Sequence, residues 1–280
     1  SARPSTATTV LLTVTAMLAF AANSLLCRLA LGTQLIDAAS FTTIRVVSGA
    51  LALLMLALPQ WRTGIHVPVD WRAVLSLFAY LSLSAGTGAL ILFGAVQLTM
   101  FVVALRNGEY FPFSSWSGLV IAILGLIYLV SPGVTAPDPL GAVLMAIAGV
   151  AWGGYSLLGR GVNDPLVVTA SNFIYSVPLA IASSLLFQND IKLSMSGIAL
   201  AIVSGALASA VGYAIWYSAL RGLTATRAAT VQLSAPVIAA FGGVVLLSEP
   251  ISLRLIVASL ATLGGVAIVL AQRTQRPRLG

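Results

Sequence analysis

Polar and aromatic side chains that could bind a solute stand inside the long apolar stretches of this 280-residue chain. Arg45 is a charge placed well within such a stretch, where it could pair with a carboxylate or extend its charged end to a membrane interface. Amides and rings at such depth could line an apolar cavity with a few hydrogen-bonding groups, although helix packing would explain any one of them equally well. The candidate substrate-binding residues are Asn23, Arg45, Tyr80, Gln97, Trp152, Tyr155, Tyr175, Tyr213, Trp216, Tyr217 and Gln232.

The sequence lacks the residue sets that common enzyme chemistries need. No Gly-rich loop ends in Gly-Lys-Ser or Gly-Lys-Thr, so ATP hydrolysis within this chain is not expected. The single histidine, His66, stands beside Pro68 and Asp70, which leaves no parts for a Ser–His site or a His-ligated metal. We therefore predict that the chain is not an enzyme and has no catalytic residue, metal site or cofactor.

The seven acidic residues stand at the ends of apolar stretches or in turns. A proton-coupled carrier usually has a carboxylate deep within a helix, where it can be protonated in one state of the cycle. For Glu109 and Glu249, a solvated or helix-capping role is the simpler interpretation. Facilitated diffusion, or coupling through the substrate, is favoured over a carboxylate-based antiport.

Composition indicates the elements that must position these groups. The mean hydropathy is +1.03 and only 8% of residues are charged, against roughly 25% in ordinary globular domains. The charges separate apolar runs that are long enough to cross a bilayer as helices. This predicts an all-α integral membrane protein with ten transmembrane helices, at residues 8–31, 37–59, 71–88, 89–107, 113–131, 139–160, 166–187, 196–220, 223–247 and 252–271.

The chain has a net charge of +7, and its positive residues are distributed unequally between the two sides of the predicted membrane topology. With the N-terminus inside, one side collects Arg3, Arg62, Arg72, Arg106, Arg160, Arg221, Arg227, Arg273, Arg276 and Arg278. The other side has Arg28, Lys192 and Arg254. This positive-inside bias predicts a multi-pass protein of the cell inner membrane with both termini cytoplasmic. Membrane lipid and a small-molecule substrate are the expected partners; nucleic acid is not, and a ten-helix chain is expected to act as a monomer.

Two matches relate the halves of the chain. Residues 23–28 (NSLLCR) return as residues 155–160 (YSLLGR), and Gly108-Glu109 with Gly125 returns as Ser248-Glu249 with Gly265. Repeats of this kind are how many secondary transporters build a path with two alternating faces. We predict a first five-helix repeat at 1–131, a linker at 132–138, a second five-helix repeat at 139–271 and a basic cytoplasmic tail at 272–280. Because five is odd, the repeats are predicted to be inverted.

Irregular backbone is expected at two kinds of place. The predicted helices at 71–88 and 89–107 must fit into about 37 residues, so at least one should be short or broken at the Ser/Gly cluster within residues 82–88. Such irregularity is tolerated where the backbone faces protein or a water-filled cavity. Pro178 and Pro236 are expected to free backbone carbonyls and kink their helices. Trp152-Gly-Gly-Tyr155 and Tyr213-x-x-Trp216-Tyr217 are expected in mid-helix, flanked by small residues.

The second half resembles a known family. Residues 212–220 (GYAIWYSAL), 233–237 (LSAPV), 247–250 (LSEP) and 264–266 (GGV) are similar to an EamA domain of the drug/metabolite transporter superfamily. The first half has residues 94–100 (GAVQLTM) where the second has LSAP, and this variant resembles the YddG-type amino-acid exporters. The resemblance implies ten helices in inverted five-helix repeats and export of amino acids and related metabolites, with aromatic ones prominent.

Three hypotheses follow from the sequence. The first is an inner-membrane transporter that exports aromatic and other neutral amino acids and related metabolites, by alternating access through a central cavity and without ATP. The second keeps the fold and changes the cargo to drugs or other small metabolites. The third is a membrane scaffold or receptor without transport, which would have no solute-sized cavity.

Overall fold

The computed structural model describes residues 4–62, 70–75, 77, 89–109, 111–130, 139–160, 162, 164–186, 191–248 and 250–271. The predictions for Tyr80, for the Ser/Gly break within 82–88, for the linker and for Glu249 lie outside these residues. So does the basic tail.

Helices account for almost all the described secondary structure, with one isolated antiparallel bridge between Ile36 and Leu193. We number the α-helices α1 to α11 and name the one π-helix separately. They are α1 (Thr6–Gly32), α2 (Ala38–Arg62), α3 (Ala89–Arg106), α4 (Phe113–Val130), α5 (Pro139–Gly159), α6 (Pro165–Leu186), α7 (Met195–Val203), the π-helix (Ser204–Val211), α8 (Gly212–Leu220), α9 (Ala225–Gln232), α10 (Ser234–Leu247) and α11 (Leu253–Ala271).

Six helical segments of the described chain are long and apolar enough to cross a membrane, with three shorter apolar helices beside them. The six are Thr6–Gly32, Ala38–Pro59, Pro165–Leu186, Met195–Leu220, Ala225–Leu247 and Leu253–Ala271. Large apolar side chains remain exposed, such as Met195 at 83% and Val245 at 78%. A surface of this kind suits lipid rather than water. The all-α membrane class is thus confirmed, whereas the count of ten helices remains a prediction.

Two predicted helices are interrupted in the structure. The run 196–220 is divided by the π-helix between α7 and α8. The run 223–247 breaks at Leu233, between α9 and α10 and three residues before Pro236. The missing N–H of Pro236 explains the second break, as expected. Pro178, in contrast, lies inside α6, which continues through it.

The described chain packs as two compact units. Unit 1 comprises residues 1–85 and 154–222, and unit 2 comprises residues 86–153 and 223–280. Each unit combines segments from both halves of the chain, so packing divides the chain differently from the predicted repeats. The repeat boundaries themselves stay a prediction.

In unit 1, α2 packs on α6 and on the π-helix, while α1 packs on α8. Thr43 Oγ1 donates to the Ala180 carbonyl at 3.2 Å, and Ser184 Oγ donates to the Ala39 carbonyl at 3.0 Å, so α2 and α6 run antiparallel. Asp37 caps α2 by accepting from the Ser40 N–H at 2.8 Å. Partial burial alone would raise the pKa of Asp37, but hydrogen bonds from Ser40 and the Lys192 backbone hold it below its ordinary value.

In unit 2, α4 packs closely along α11, and α9 packs on α3. Small residues allow the approach of α4 and α11: a Cβ on Gly125 would lie 2.7 Å from the Thr262 nitrogen, and one on Gly265 would lie 2.6 Å from the Ala122 nitrogen. Close backbone contact of this sort is the main source of helix association in lipid.

Candidate functional site

Five buried aromatic rings and the half-buried ring of Phe20 form a cluster in unit 1, which we call the aromatic cluster: Phe20, Tyr155, Phe173, Tyr213, Trp216 and Tyr217. The end of α5 provides Tyr155, whose ring centroid lies 4.7 Å from that of Tyr217 and 6.0 Å from that of Tyr213 on α8. Phe173 on α6 lies 5.7 Å from Tyr213. These separations are typical of favourable offset and edge-to-face ring pairs. The predicted residues Tyr155, Tyr213, Trp216 and Tyr217 are therefore brought together.

The polar ends of two of these rings are bonded within unit 1. Trp216 Nε1 donates to Ser156 Oγ at 3.2 Å, and the Tyr217 hydroxyl donates to the Tyr155 carbonyl at 3.1 Å. The ring of Tyr217 also lies against Gly159, where no side chain would fit. The cluster is therefore held together by hydrogen bonds as well as by ring packing.

Asn23 on α1 joins the π-helix. Its Oδ1 accepts from Ser204 Oγ at 2.6 Å and from Ser209 Oγ at 3.3 Å. Ser204 is the first residue of the π-helix and Ser209 lies within it, so the Asn23 amide stabilises the π-helix directly. A π-helix within an α-helical span is often found at functional sites.

Arg45 lies inside unit 1. It is only 2% exposed, and its guanidinium lies 5.6 Å from the centre of the Phe41 ring. Its carbonyl packs against Gly205, where a side chain would collide with it. Burial of the whole side chain favours an interior position over extension to the membrane interface.

Gln97, Trp152 and Gln232 meet in unit 2, in what we call the glutamine cluster. Trp152 Nε1 donates to Gln232 Oε1. Gln232 Nε2 donates to the Ala228 carbonyl at 3.0 Å and approaches the Met100 sulfur at 3.4 Å. Gln97 Nε2 donates to the carbonyl of Ala229 at 2.6 Å. Three helices, α3, α5 and α9, thus contribute to one buried polar group.

Glu109 binds the start of α9, within the same unit. Its Oε1 accepts from the Ala225 N–H at 2.9 Å, and its Oε2 accepts from the Thr226 N–H at 3.2 Å and from Thr226 Oγ1 at 3.0 Å. A carboxylate stabilises the positive end of a helix and satisfies its open N–H groups. The capping interpretation is supported, but the helix that Glu109 caps is remote in sequence.

Other predicted residues are placed differently. Tyr175 is 39% exposed and its ring lies 5.6 Å from that of Trp71, so it does not join the aromatic cluster. Trp152 lies at the end of the middle third of α5, and Tyr155 lies in its last third. In the part of the chain that the structure describes, no three His, Cys, Asp or Glu side chains are arranged to hold a metal ion.

Sequence reasoning missed some members of these groups. Phe20, Ser156, Ser204 and Ser209 are of residue types that are common in apolar helices, so nothing in the sequence distinguishes them. Asn172 is a further polar residue that is buried on α6. Only the packing of separate helices reveals these residues.

Comparison with known proteins identifies the family. The model of the EamA-like transporter family matches residues 139–271, and a 50% identical protein of Pseudomonas aeruginosa, "Uncharacterized protein PA1977", matches 97% of this chain over 96% of its own length. Residues 139–271 form a domain of the EamA-like transporter family. With its long apolar helices, the chain is a multi-pass membrane protein that carries this EamA-like domain.

More distant relatives carry transporter names. An "Uncharacterized transporter" of Archaeoglobus fulgidus is 27% identical over 68% of this chain and 70% of its own length. "Uncharacterized transporter YwfM" of Bacillus subtilis is 30% identical over 50% of this chain and 48% of its own. A solved crystal structure matches with a TM-score of 0.81 and 18% identity, covering 96% of this chain and 100% of that one. That last likeness concerns the fold alone.

Proposed function

We propose that this EamA-like transporter exports aromatic and other neutral amino acids, with related metabolites, across the inner membrane by alternating access and without ATP. The observation that carries the proposal is the aromatic cluster. Five of its six rings are buried on helices of an apolar protein, while two of its polar ends are hydrogen-bonded to Ser156 and to the Tyr155 carbonyl. Ring faces held in this way favour a solute with a flat or apolar side chain.

Arg45 supports the choice of an amino acid. A buried guanidinium on α2 is a suitable partner for a solute carboxylate, because Arg can donate two parallel hydrogen bonds to it. We propose Asn23, Tyr80, Gln97, Trp152, Tyr175 and Gln232 as the remaining contributors, as predicted from the sequence. Both termini are proposed to be cytoplasmic and the chain to act as a monomer.

We also propose that the chain has ten membrane helices in two inverted repeats, residues 1–131 and 139–271. Support comes from contacts between α4 and α11, whose matched residues are 140 positions apart. Thr262 Oγ1 approaches the carbonyl of its own counterpart, Ala122, at 3.4 Å. The close approach of Gly125 to Thr262 is matched by that of Gly265 to Ala122. Counterparts that contact each other in exchanged pairs are what a twofold axis between α4 and α11 requires.

Backbone conformation adds a second match. Gly108 has φ of 72° and Ser248 has φ of 54°, and both stand at the end of a helix. A left-handed residue is a common helix terminator, but it is uncommon for serine. The two turns are again 140 positions apart in the chain.

The test is flux in proteoliposomes with purified protein and a panel of labelled amino acids. Saturable flux of aromatic and other neutral amino acids is expected, with Trp216→Ala reducing it severalfold. Trp116→Ala is the matched control, because Trp116 lies in a separate group of rings with Phe101 and Phe111. Folded wild-type protein without flux of any amino acid would refute the proposal, and flux of drugs alone would support the alternative cargo.

A further inference from the structure

The break in helix 223–247 leaves one backbone carbonyl for another helix to bind. In a continuous helix the N–H of Leu233 would donate to the carbonyl of Ala229. Here it donates to the Thr230 carbonyl at 3.1 Å. Instead, Gln97 Nε2 on α3 donates to the Ala229 carbonyl at 2.6 Å, although the two residues are 132 positions apart in the sequence. The α9 break and the Gln97 side chain are thus directly coupled.

This bond decides which way the Gln97 amide is turned. The Ala229 carbonyl can only accept, so the amide must present its NH₂ group there. Its oxygen, Oε1, therefore lies on the other side of the amide. Oε1 is buried and accepts no hydrogen bond from the residues that the structure describes, and Gln97 as a whole is only 4% exposed.

The rest of the glutamine cluster is arranged differently. Gln232 uses its oxygen for Trp152 and its nitrogen for the Ala228 carbonyl, so both ends of that amide are engaged within the protein. Helices α3 and α5 pack closely next to the glutamine cluster, because Gly149 and Gly153 have no side chain to keep α5 away from α3. The Gln97 oxygen is thus a fixed, buried acceptor on three packed helices.

An acceptor without a donor in such a place favours a ligand with an N–H group. A buried carbonyl oxygen without a partner has lost its hydration without compensation, and an N–H donor that arrives with the solute removes that cost. We infer that Gln97 Oε1 accepts a hydrogen bond from the ammonium group of the transported amino acid and so selects solutes that carry an amino group. This inference rests on the proposed function, since it assumes an amino-acid substrate.

The selectivity can be measured with pairs of compounds that differ only in the amino group. Competition against labelled phenylalanine uses 3-phenylpropionate, and competition against labelled leucine uses 4-methylpentanoate. Gln97→Met keeps the length of the side chain and removes both polar atoms. We expect the wild-type preference for the amino compound to fall by about tenfold to a hundredfold in this variant, the range for a hydrogen bond to a charged group.

Ser234→Ala is the matched control, since it removes a buried polar group next to the break at Leu233. Because the Ser234 hydroxyl donates to the Val231 carbonyl at 2.7 Å, its loss is expected to lower thermal stability and leave the preference unchanged. An unchanged preference in Gln97→Met, with folded protein, would overturn the inference while leaving amino-acid transport intact.

A series of substrates gives a second measurement that needs no variant. Phenylalanine and its N,N,N-trimethyl derivative carry the same charge, but the derivative has no N–H to donate. The wild-type protein is expected to bind the derivative at least tenfold more weakly. Equal competition by the two compounds would overturn the inference. Absence of all amino-acid binding by the wild type would remove the proposed function and this inference with it.

Discussion

Replacement of Glu109 by alanine should loosen the start of α9 selectively. The Glu109 carboxylate accepts from the N–H groups of Ala225 and Thr226 and from the Thr226 hydroxyl. Thr224 caps the same helix from within, by accepting from the Arg227 N–H at 3.3 Å. Loss of Glu109 would leave that internal cap and remove the bonds that fasten α9 to the end of α3.

The size of the effect follows from these bonds. An N-terminal cap contributes typically about 1 kcal/mol, and a negative charge at a helix N-terminus adds roughly 0.3–1 kcal/mol. Glu109 is partly exposed, but it accepts hydrogen bonds from two N–H groups at once. We therefore expect its removal to lower the free energy of opening the start of α9 by about 2 kcal/mol. That corresponds to about a thirtyfold rise in the population of the open helix start.

Hydrogen exchange measured by mass spectrometry on detergent-purified protein is the assay. Peptides that cover α9 should exchange about thirtyfold faster in Glu109→Ala, and those in α6 should not change. Asp164→Ala is the matched control, because Asp164 accepts one bond at 3.2 Å from Val167 within its own helix, α6. That variant should affect α6 alone. If exchange in α9 stays at its wild-type rate in Glu109→Ala, the capping role assigned to Glu109 is wrong.

Further predictions concern packing, pH and transport. Gly265→Ala should lower the melting temperature, because its Cβ would meet the backbone of α4, whereas Gly264→Ala faces open space and should not. Asp37, whose pKa is lowered on folding, should stabilise the protein above about pH 4 and cease to do so in stronger acid. Melting curves of Asp37→Asn against wild type should therefore differ at pH 7 and converge in acid. Arg45→Ala and Tyr217→Ala should reduce flux more than the yield of folded protein, and equal losses would assign both residues to structure.

Local chemistry made several features predictable. Long apolar runs with isolated charges indicated membrane helices, since backbone groups in lipid must bond within their own segment. Pro236 indicated a kink, and the helix is interrupted at Leu233 nearby. A kink was predicted at Pro178 as well, and there the helix α6 continues, because a helix in a packed bundle can accommodate one missing N–H.

Partners across the chain were beyond local reasoning. Glu109 was predicted to be a boundary residue, but its partners on α9 are more than a hundred residues away. Tyr175 and Tyr155 are the same residue type in similar surroundings of sequence, yet one is exposed beside Trp71 and the other is buried against Tyr217. The π-helix had no sequence signal apart from a run of small residues.

The sequence by itself determined that this chain is helical and apolar, because hydropathy and span length act over short stretches, and its repeated motifs predict two related halves. Only the tertiary structure decided which polar groups meet. In a soluble helix the apolar face marks the interior. In a membrane helix the outward face is apolar as well, so the direction of Gln97 or Tyr175 is decided by the neighbouring helices that pack against it.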